Sequence, residues 1–296
     1  AEAFGLSGLF GLTAVLTVLA MLMVQFVVPT SISKAPKGDL VALPKQMSKL
    51  FRHPQLLRLN IGVFVLHMAL TASFVTLPTL FIMAGLSLDN HWKMYLPTLF
   101  GSFFLMVPFM IWALKKQKEK QMLAMAVALL ALTMVMLASL PSTLTVLIIA
   151  TLLFFTAFNY LEATMPSMLS RIAPAGVKGS AMGIFTSSQF LGAFAGGLIG
   201  GFVAEQYGEQ AIFTVMIAFI AVWFIFALGM KPLKKSKSYS FAFKATSEEN
   251  TNQLAEQLVA MKGIVEATLV HDEAVAYLKL DDKNADLAEI KALLNN

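Results

Sequence analysis

Cysteine is absent from this 296-residue sequence. Disulfides, thiolate metal sites, iron–sulfur clusters and cysteine nucleophiles all require that side chain, so the composition excludes each of them. Charge is also scarce, because only 13% of the residues are charged, compared with about 25% in soluble domains. With 57% hydrophobic residues and a mean hydropathy of +0.73, the chain has the composition of a membrane protein.

Motifs that would indicate an enzyme are lacking as well. The sequence has no HExxH motif, no paired histidine boxes, no nucleophile motif and no nucleotide-binding loop. Its C-terminal part is acidic and has no aromatic platform for RNA, which argues against nucleic acid as a partner. We therefore predict a protein that is not an enzyme and that needs no metal or cofactor.

Long apolar runs are what the sequence does contain. A helix needs about 20 residues to cross the roughly 30 Å hydrocarbon layer of a bilayer, and seven runs reach that length. From about residue 238 the runs shorten and acidic residues become frequent, which predicts a separate domain outside the membrane. The predicted spans are residues 6–28, 59–84, 94–114, 122–140, 144–169, 181–204 and 211–229.

Lysine and arginine are distributed unevenly among the connections between these spans. Sixteen basic residues fall in alternate connections and after the last span, whereas the remaining connections contain only Lys93. Connections rich in basic residues face the cytoplasm. The distribution therefore predicts that the C-terminal domain is cytoplasmic.

The connection between the first and second spans is long and polar, and it contains four prolines, as expected of a linker. One span, a linker and six spans remain when a twelve-span protein built as six plus six loses its first five helices. We expect that organisation, and a complete seven-span protein is the alternative. The predicted domains are 1–28 as the last helix of an N-terminal bundle, 29–57 as a cytoplasmic inter-bundle linker, 58–230 as a six-helix bundle, 231–237 as a basic linker and 238–296 as a cytoplasmic domain.

A carboxylate lies within the fifth span, in the sequence FNYLEATMPS at residues 158–167. An ionised carboxylate at mid-membrane costs about 2.5–3.5 kcal/mol, so Glu162 should be protonated, paired or directed into a wet cavity. Asn159 and Pro166 are spaced to share its helix face, and Pro166 favours a kink because it donates no N–H to the carbonyl of Glu162. Such a polar, bent segment suits substrate binding or protonation. A hydrogen bond that only specifies helix packing is the alternative.

Two further polar residues within spans are candidates for the same pathway. His67 has Thr71 four residues later, and a histidine with an ordinary pKa of about 6.5 responds to physiological pH. Gln189 follows three hydroxyl residues and could line a cavity. For both side chains, an interhelical hydrogen bond without a transport role is the alternative.

Glycine recurs every four residues in the sixth span, at Gly192, Gly196 and Gly200. A helix face without side chains predicts a seam where a partner helix packs closely.

Among the basic residues of the predicted cytoplasmic connections, Arg171 is the best candidate for a gating salt bridge. The alternative is that the cluster at 115–120 and the loop at 171–178 are ordinary topology signals.

The C-terminal domain has the pattern of a small α+β unit. Strands are predicted at 239–245, 264–270 and 275–280, with one helix after the first strand and another at the end, which gives the order βαββα. This order is similar to ferredoxin-like domains of the heavy-metal-associated kind, although the two cysteines of the metal-carrying members are absent. His271 and its two acidic neighbours could touch a cation, but a simple turn is the favoured interpretation. An interaction or regulatory module is the better prediction.

The net charge of the chain changes sign between its two parts. From residue 244 onward it is −5, whereas the preceding residues carry +10. Opposite charges favour docking of the acidic tail on the basic cytoplasmic loops, and screening over about 8 Å keeps such an attraction modest. Reversible docking is therefore a hypothesis.

Residues 158–201, FNYLEATMPSMLSRIAPAGVKGSAMGIFTSSQFLGAFAGGLIGG, resemble the tenth and eleventh helices of major facilitator superfamily transporters. The resemblance implies proton-coupled transport, with efflux of a small molecule across the bacterial inner (plasma) membrane by alternating access between two six-helix bundles. The N-terminal bundle would be a missing partner, without which this chain would not transport.

The predicted fold class is an all-α polytopic membrane bundle followed by a small α+β ferredoxin-like domain. A membrane-anchored sensor or scaffold that presents the cytoplasmic domain is the alternative function. Polar residues and prolines within the spans favour transport, because an anchor needs neither.

Overall fold

The computed structural model describes residues 5–28, 44–174, 177–232, 237–243, 248–271, 274–281 and 284–295. The chain divides into two compact units, Ala1–Ala35 and Pro36–Asn296. The first unit contains helix α1 (Gly5–Phe26), whose apolar part Phe10–Phe26 is shorter than the about 20 residues that cross a bilayer. The first of the seven predicted spans, residues 6–28, therefore stays a prediction.

The second unit contains six helices long and apolar enough to cross a membrane, as predicted. Their ends agree with the predicted spans to within about five residues, because dense apolar runs leave little freedom in placing a helix. They follow a short helix, α2 (Pro44–Arg52). The six are α3 (Pro54–Met83), α4 (His91–Lys116), α5 (Glu119–Ser139), α6 (Leu144–Ile172), α7 (Lys178–Tyr207) and α8 (Ala211–Leu228).

Helix α2 and the first turn of α3 fall inside the segment 29–57 that the sequence predicted to be a linker. The four prolines suggested irregular structure, but Pro44 and Pro54 each begin a helix. Proline is tolerated there because the first helical N–H groups have no intrahelical acceptor. The earlier part of the predicted linker, residues 29–43, lies outside the described residues.

Helices α3 and α7 form the most extensive helix pair of the bundle. Helix α6 packs against both α4 and α5, and α8 packs against α5 and α3. The interior is apolar, with Leu66, Phe154 and Trp223 almost fully buried. Trp223 lies so close to the backbone of α3 that a Cβ atom on Gly62 would be 2.6 Å from its indole nitrogen.

The C-terminal part has the predicted element order. Strand β1 (Lys237–Ala242) is followed by helix α9 (Glu248–Ala260), strands β2 (Ile264–Val270) and β3 (Val275–Leu280), and helix α10 (Leu287–Asn295). The strands form an antiparallel sheet in the order β1-β3-β2, and Leu258, Leu278 and Ile290 lie in its core. Its assignment to the ferredoxin-like class stays a prediction.

The predicted bounds of β2 and β3 are confirmed, whereas β1 begins and ends earlier than its predicted range of 239–245. Residues 244–247, which include the end of the predicted first strand, lie outside the structural description. Residues 272 and 273 of the candidate cation turn do so as well. His271 is described, and its Nδ1 atom lies 3.1 Å from the hydroxyl of Thr251.

A buried lysine connects this sheet to the helical bundle. Lys279 is on β3, its side chain is only 6% exposed, and its Nζ atom lies 3.0 Å from the carboxylate of Glu266 on β2. The same ammonium group donates to the carbonyl oxygens of Ile172 and Ala173, where α6 ends. Carbonyls at a helix C-terminus have no intrahelical donor and carry partial negative charge, so a cation is stabilised there.

Candidate functional site

Three side chains that the sequence identified separately meet inside the bundle. His67 comes from α3, Glu162 from α6 and Gln189 from α7. The Nε2 atoms of His67 and Gln189 are 2.9 Å apart, and Gln189 Nε2 lies 3.5 Å from Glu162 Oε1. His67 Nε2 lies 3.6 Å from Glu162 Oε2. We refer to these residues as the polar triad.

The hydrogen bonds determine the tautomer of His67. Its Nδ1 atom lies 3.2 Å from the carbonyl oxygen of Val63, which can only accept a hydrogen bond, so the proton of the neutral ring is on Nδ1. Nε2 is then the acceptor, and the amide group of Gln189 donates to it. The orientation of the Gln189 amide is assigned from the same network.

Glu162 has unused capacity to accept hydrogen bonds. Its side chain is 38% exposed, yet its Oε2 atom is buried and has no hydrogen-bond partner among the residues that the structure describes. A buried carboxylate oxygen without a donor is costly. A proton on His67 Nε2, which lies 3.6 Å from Oε2, would supply the missing donor.

Asn159 does not join the polar triad. Its amide group donates to the hydroxyl of Ser102 on α4, at 2.9 Å. Ser102 is fully buried and donates onward to the carbonyl oxygen of Leu99. The helical period places Asn159 near the face of Glu162. The length of the Asn159 side chain, however, directs its amide group to the neighbouring helix, where it connects α6 with α4.

An aromatic residue that the sequence did not single out lies beside the triad. The ring of Phe158 meets the edge of the His67 ring at a centroid distance of 5.6 Å and stacks on Phe154. Phe158 is four residues before Glu162, so the two side chains share a face of α6. Its position restricts the orientation of the imidazole ring.

The glycines of α7 hold α3 at backbone contact. A Cβ atom on Gly192 would lie 2.1 Å from the carbonyl oxygen of Phe64, and one on Gly196 would lie 2.3 Å from that of Met68. Gly200 approaches the Cα atom of Ala72 in the same way, at 3.0 Å. This contact brings His67 of α3 opposite Gln189 of α7.

Pro166 lies within α6, four residues after Glu162, and the helix continues through it.

Arg171 forms an ion pair at the end of α6. Its Nη1 atom lies 3.0 Å from Oε1 of Glu119, at the start of α5, and the Glu119 side chain is only 9% exposed. The sequence reasoning missed this partner because Glu119 stands among four lysines and was grouped with them. Its position in the first turn of a helix was the available signal, since acidic residues are favoured there.

A second polar contact lies at the opposite end of the bundle. The hydroxyl of Thr76, fully buried on α3, donates to the carboxylate of Glu209, which lies between α7 and α8. The adjacent Gln210 donates to Ser142 at 2.9 Å. Neither contact was predicted, because nothing in the sequence relates residues so far apart.

A metal centre is not part of this arrangement. Within the described ranges, no three residues among histidine, aspartate and glutamate come together in a way that could hold a metal ion.

A protein-family model identifies the class to which this bundle belongs. The model described as Major Facilitator Superfamily matches residues 1–194 and 157–295. The chain belongs to the Major Facilitator Superfamily. Members of this superfamily are membrane transporters rather than enzymes in general, which agrees with the six membrane-length helices.

Individual transport proteins are similar to this chain over most of its length. It is 34% identical to the inner membrane transport protein YajR of Escherichia coli (strain K12) over 287 residues, which cover 97% of this chain and 63% of that protein. It is also 34% identical to the uncharacterized transporter BU466 of Buchnera aphidicola subsp. Acyrthosiphon pisum (strain APS), over 65% of this chain and 50% of that protein.

An uncharacterized transporter of Buchnera aphidicola subsp. Schizaphis graminum (strain Sg) is 32% identical over 78% of this chain and 59% of its own length. This major facilitator chain thus spans less than two thirds of the length of each of these relatives. The similarity to an inner membrane transport protein, together with the six apolar helices, supports a multi-pass membrane protein.

Proposed function

We propose that this chain carries the proton-coupling half of a secondary transporter that exports a small molecule across the bacterial inner membrane by alternating access. The observation that carries the proposal is the polar triad. A carboxylate and an imidazole lie 3.6 Å apart within membrane-length helices, and an amide bridges them. Ionisable groups inside a membrane are costly, so their presence favours a functional role.

The hydrogen bonds of the triad suggest how a proton would be coupled to helix movement. In the neutral state His67 Nε2 accepts from Gln189 on α7. A proton on Nε2 turns this atom into a donor, which can no longer accept from the amide. The nearest acceptor is then the carboxylate of Glu162 on α6. Protonation thus replaces the hydrogen bond between α3 and α7 with one between α3 and α6. A change of this kind can shift the equilibrium between two conformations.

Substrate binding requires more residues than this chain contributes. The chain spans 63% of the length of YajR, and a cavity between two six-helix bundles is lined from both sides. We therefore assign the substrate to the whole transporter and the proton site to the polar triad. The antiport direction, with protons entering as substrate leaves, is part of the same proposal.

The ion pair between Arg171 and Glu119 is a candidate for a cytoplasmic gate. It joins the start of α5 to the end of α6, in the region that the distribution of basic residues predicts to be cytoplasmic. Its separation would free these two helix ends when that side opens.

A second proposed function is regulation by the C-terminal domain, and a specific contact supports it. The domain was expected to dock through its acidic surface, but the contact that supports docking is made by a lysine. Lys279 binds the end of α6, the helix that contains Glu162 and Arg171. We propose that the cytoplasmic domain restrains this helix end and thereby modulates transport. This proposal also accommodates a sensor role, since a ligand of the domain would act through Lys279.

Proton coupling is tested with the full-length protein in inverted membrane vesicles. A pH-sensitive dye reports proton movement when each member of a panel of amphiphilic compounds is added to vesicles with an imposed pH gradient. We expect one or more compounds to release protons through the wild type and through Glu205→Gln, which removes an exposed carboxylate at the end of α7. Glu162→Gln should abolish the release. Equal release by Glu162→Gln and wild type would remove Glu162 from the proton pathway.

A further inference from the structure

An apolar groove runs between α4 and α5, with α6 as its floor. Both helices pack against α6 and make much less contact with each other, which leaves a cavity of about 400 Å³ between them. This volume is within the range of ligand-binding pockets. The groove is lined by Met106 and Phe109 of α4, by Met122, Met125 and Leu132 of α5, and by Tyr160 of α6.

The groove is on the opposite side of α6 from the polar triad. Tyr160 and Glu162 are two residues apart, and a helix of 3.6 residues per turn separates such positions by roughly 200°. The walls of the groove are open to the surroundings, since Phe109 is 50% exposed, Met125 58% and Leu132 52%. An apolar surface that faces outward from a membrane bundle contacts lipid.

Two lysines lie at one end of the groove. Lys116 follows Phe109 by seven residues, nearly two helical turns, which returns it to the same side of α4. Lys118 precedes Met122 by four residues, one turn along α5. Both side chains are exposed, and the two-residue turn between the helices keeps them close together. Trp112, whose ring lies 5.3 Å from Lys118 Nζ, is half-exposed, as is typical of an aromatic residue at the level of lipid headgroups.

The two hydroxyl groups beneath the floor of the groove are not available to a ligand. The hydroxyl of Tyr160 is buried, and it has no hydrogen bond within the part of the chain that the structure describes. The other hydroxyl on the floor, that of Thr156, already donates to the carbonyl oxygen of Leu152 at 2.7 Å. The surface that the floor presents to a ligand is therefore apolar, which fits an acyl chain.

We propose that this groove binds an anionic phospholipid of the cytoplasmic leaflet. One acyl chain occupies the apolar channel, and the phosphate group lies between Lys116 and Lys118. Charge complementarity favours this occupant over a neutral apolar molecule, because Lys116 and Lys118 are exposed where α4 and α5 are joined. Clusters of basic residues at the cytoplasmic ends of membrane helices recognise anionic headgroups in this way.

Lipid binding is tested on the full-length protein, purified in detergent and freed of lipid. Native mass spectrometry follows the binding of phosphatidylglycerol, with phosphatidylcholine as the neutral comparison and glycerol phosphate as the headgroup without chains. We expect phosphatidylglycerol to bind at least about tenfold more tightly than phosphatidylcholine, and glycerol phosphate not to bind measurably. The double variant Lys116→Gln/Lys118→Gln should weaken phosphatidylglycerol by about fivefold for each lysine.

Two controls separate the groove from general surface charge. Lys49→Gln/Arg52→Gln removes the same charge from exposed positions on α2 and should leave binding unchanged. Ala128→Phe narrows the groove and should reduce binding, whereas Val135→Phe adds the same ring to an exposed position of α5 and should not. Equal binding of the two lipids, or equal effects of the two double variants, would overturn the proposal. These measurements do not depend on transport, so they stand apart from the proposed function.

Discussion

The ammonium group of Lys279 lies against the last carbonyl oxygens of helix α6, at Ile172 and Ala173. A cation at a helix C-terminus is stabilised by unpaired carbonyls and by the helix dipole. Its second partner is Glu266 of the same sheet, 3.0 Å away. The contact therefore joins the C-terminal domain to the helix that contains both Glu162 and Arg171.

Replacing Lys279 with methionine should release the domain from the bundle. The substitution keeps the apolar stem and removes the charge, which leaves the carbonyls of Ile172 and Ala173 without their donor. We expect faster amide hydrogen exchange at residues 171–174 and faster proteolysis around residue 232. Lys262→Met, at an exposed position of the same domain, is the control and should behave like the wild type. Unchanged exchange in Lys279→Met would argue against a restraining contact.

The same contact should weaken in acid, because Lys279 and Glu266 lie close enough to His53, at the start of α3, to influence its pKa. Burial is the main cause that lowers the pKa of His53 below its ordinary value of 6.5, and the charge of Lys279 lowers it further, while Glu266 opposes both. A lowered pKa means that the released state binds the proton more readily. Docking is therefore fully stable above about pH 6.5 and loses stability as the pH falls below that value.

Two measurements check this pH dependence. Hydrogen exchange of the C-terminal domain, expressed relative to the intrinsic exchange rate at each pH, should increase between pH 7 and pH 5 in the wild type. The increase should shrink in His53→Gln, which has no titratable ring. Protonation also prevents His53 Nδ1 from accepting the hydrogen bond of the Leu56 N–H, so the first turn of α3 should loosen over the same range. An identical pH profile in His53→Gln would assign the effect to another group.

Substitutions in the glycine seam should destabilise the bundle according to position. Gly192→Ala and Gly196→Ala place a methyl group within 2.3 Å of a backbone carbonyl of α3, and backbone yields little. Overpacking of this kind costs about 1–3 kcal/mol. Gly201→Ala is the matched control, since nothing lies within 4 Å of its Cβ position. Thermal unfolding in detergent should show lower midpoints for the first two variants only, and equal midpoints for all three would contradict the seam.

Removal of Arg171 should cost more than removal of the whole ion pair. Arg171→Ala leaves the carboxylate of Glu119 buried without a cation, which costs about 3–5 kcal/mol. The double variant Arg171→Ala/Glu119→Ala has no such charge and should regain part of the loss. Unfolding free energies of the two single variants and the double variant form the required cycle. Additive losses would show that the two groups do not interact.

The fold of the bundle was largely predictable, because six apolar runs determine six helices. Helix α2 was not, since its prolines resemble those of a loop until each is seen at the start of a helix. Likewise, the alternating sequence pattern of β3 does not distinguish Lys279 from an exposed lysine. Only the packing of the sheet against α6 shows that its side chain is buried.

The candidate site was predictable in its parts and not in its assembly. Glu162, His67 and Gln189 are each unusual in an apolar helix, so composition alone identifies them. Their meeting could not be predicted, because Gln189 is 122 residues from His67 and 27 from Glu162. Asn159 shows the converse. Helical spacing predicts that it shares a face with Glu162, but the length of its side chain then selects Ser102 of α4 as its partner.

The glycine seam also limits which parts of the bundle can shift. With backbone against backbone at Gly192 and Gly196, helices α3 and α7 cannot slide or turn separately without a collision. The two helices therefore form one rigid unit that carries His67 and Gln189, two members of the polar triad. We therefore expect any shift within the triad to separate Glu162 of α6 from the α3–α7 pair.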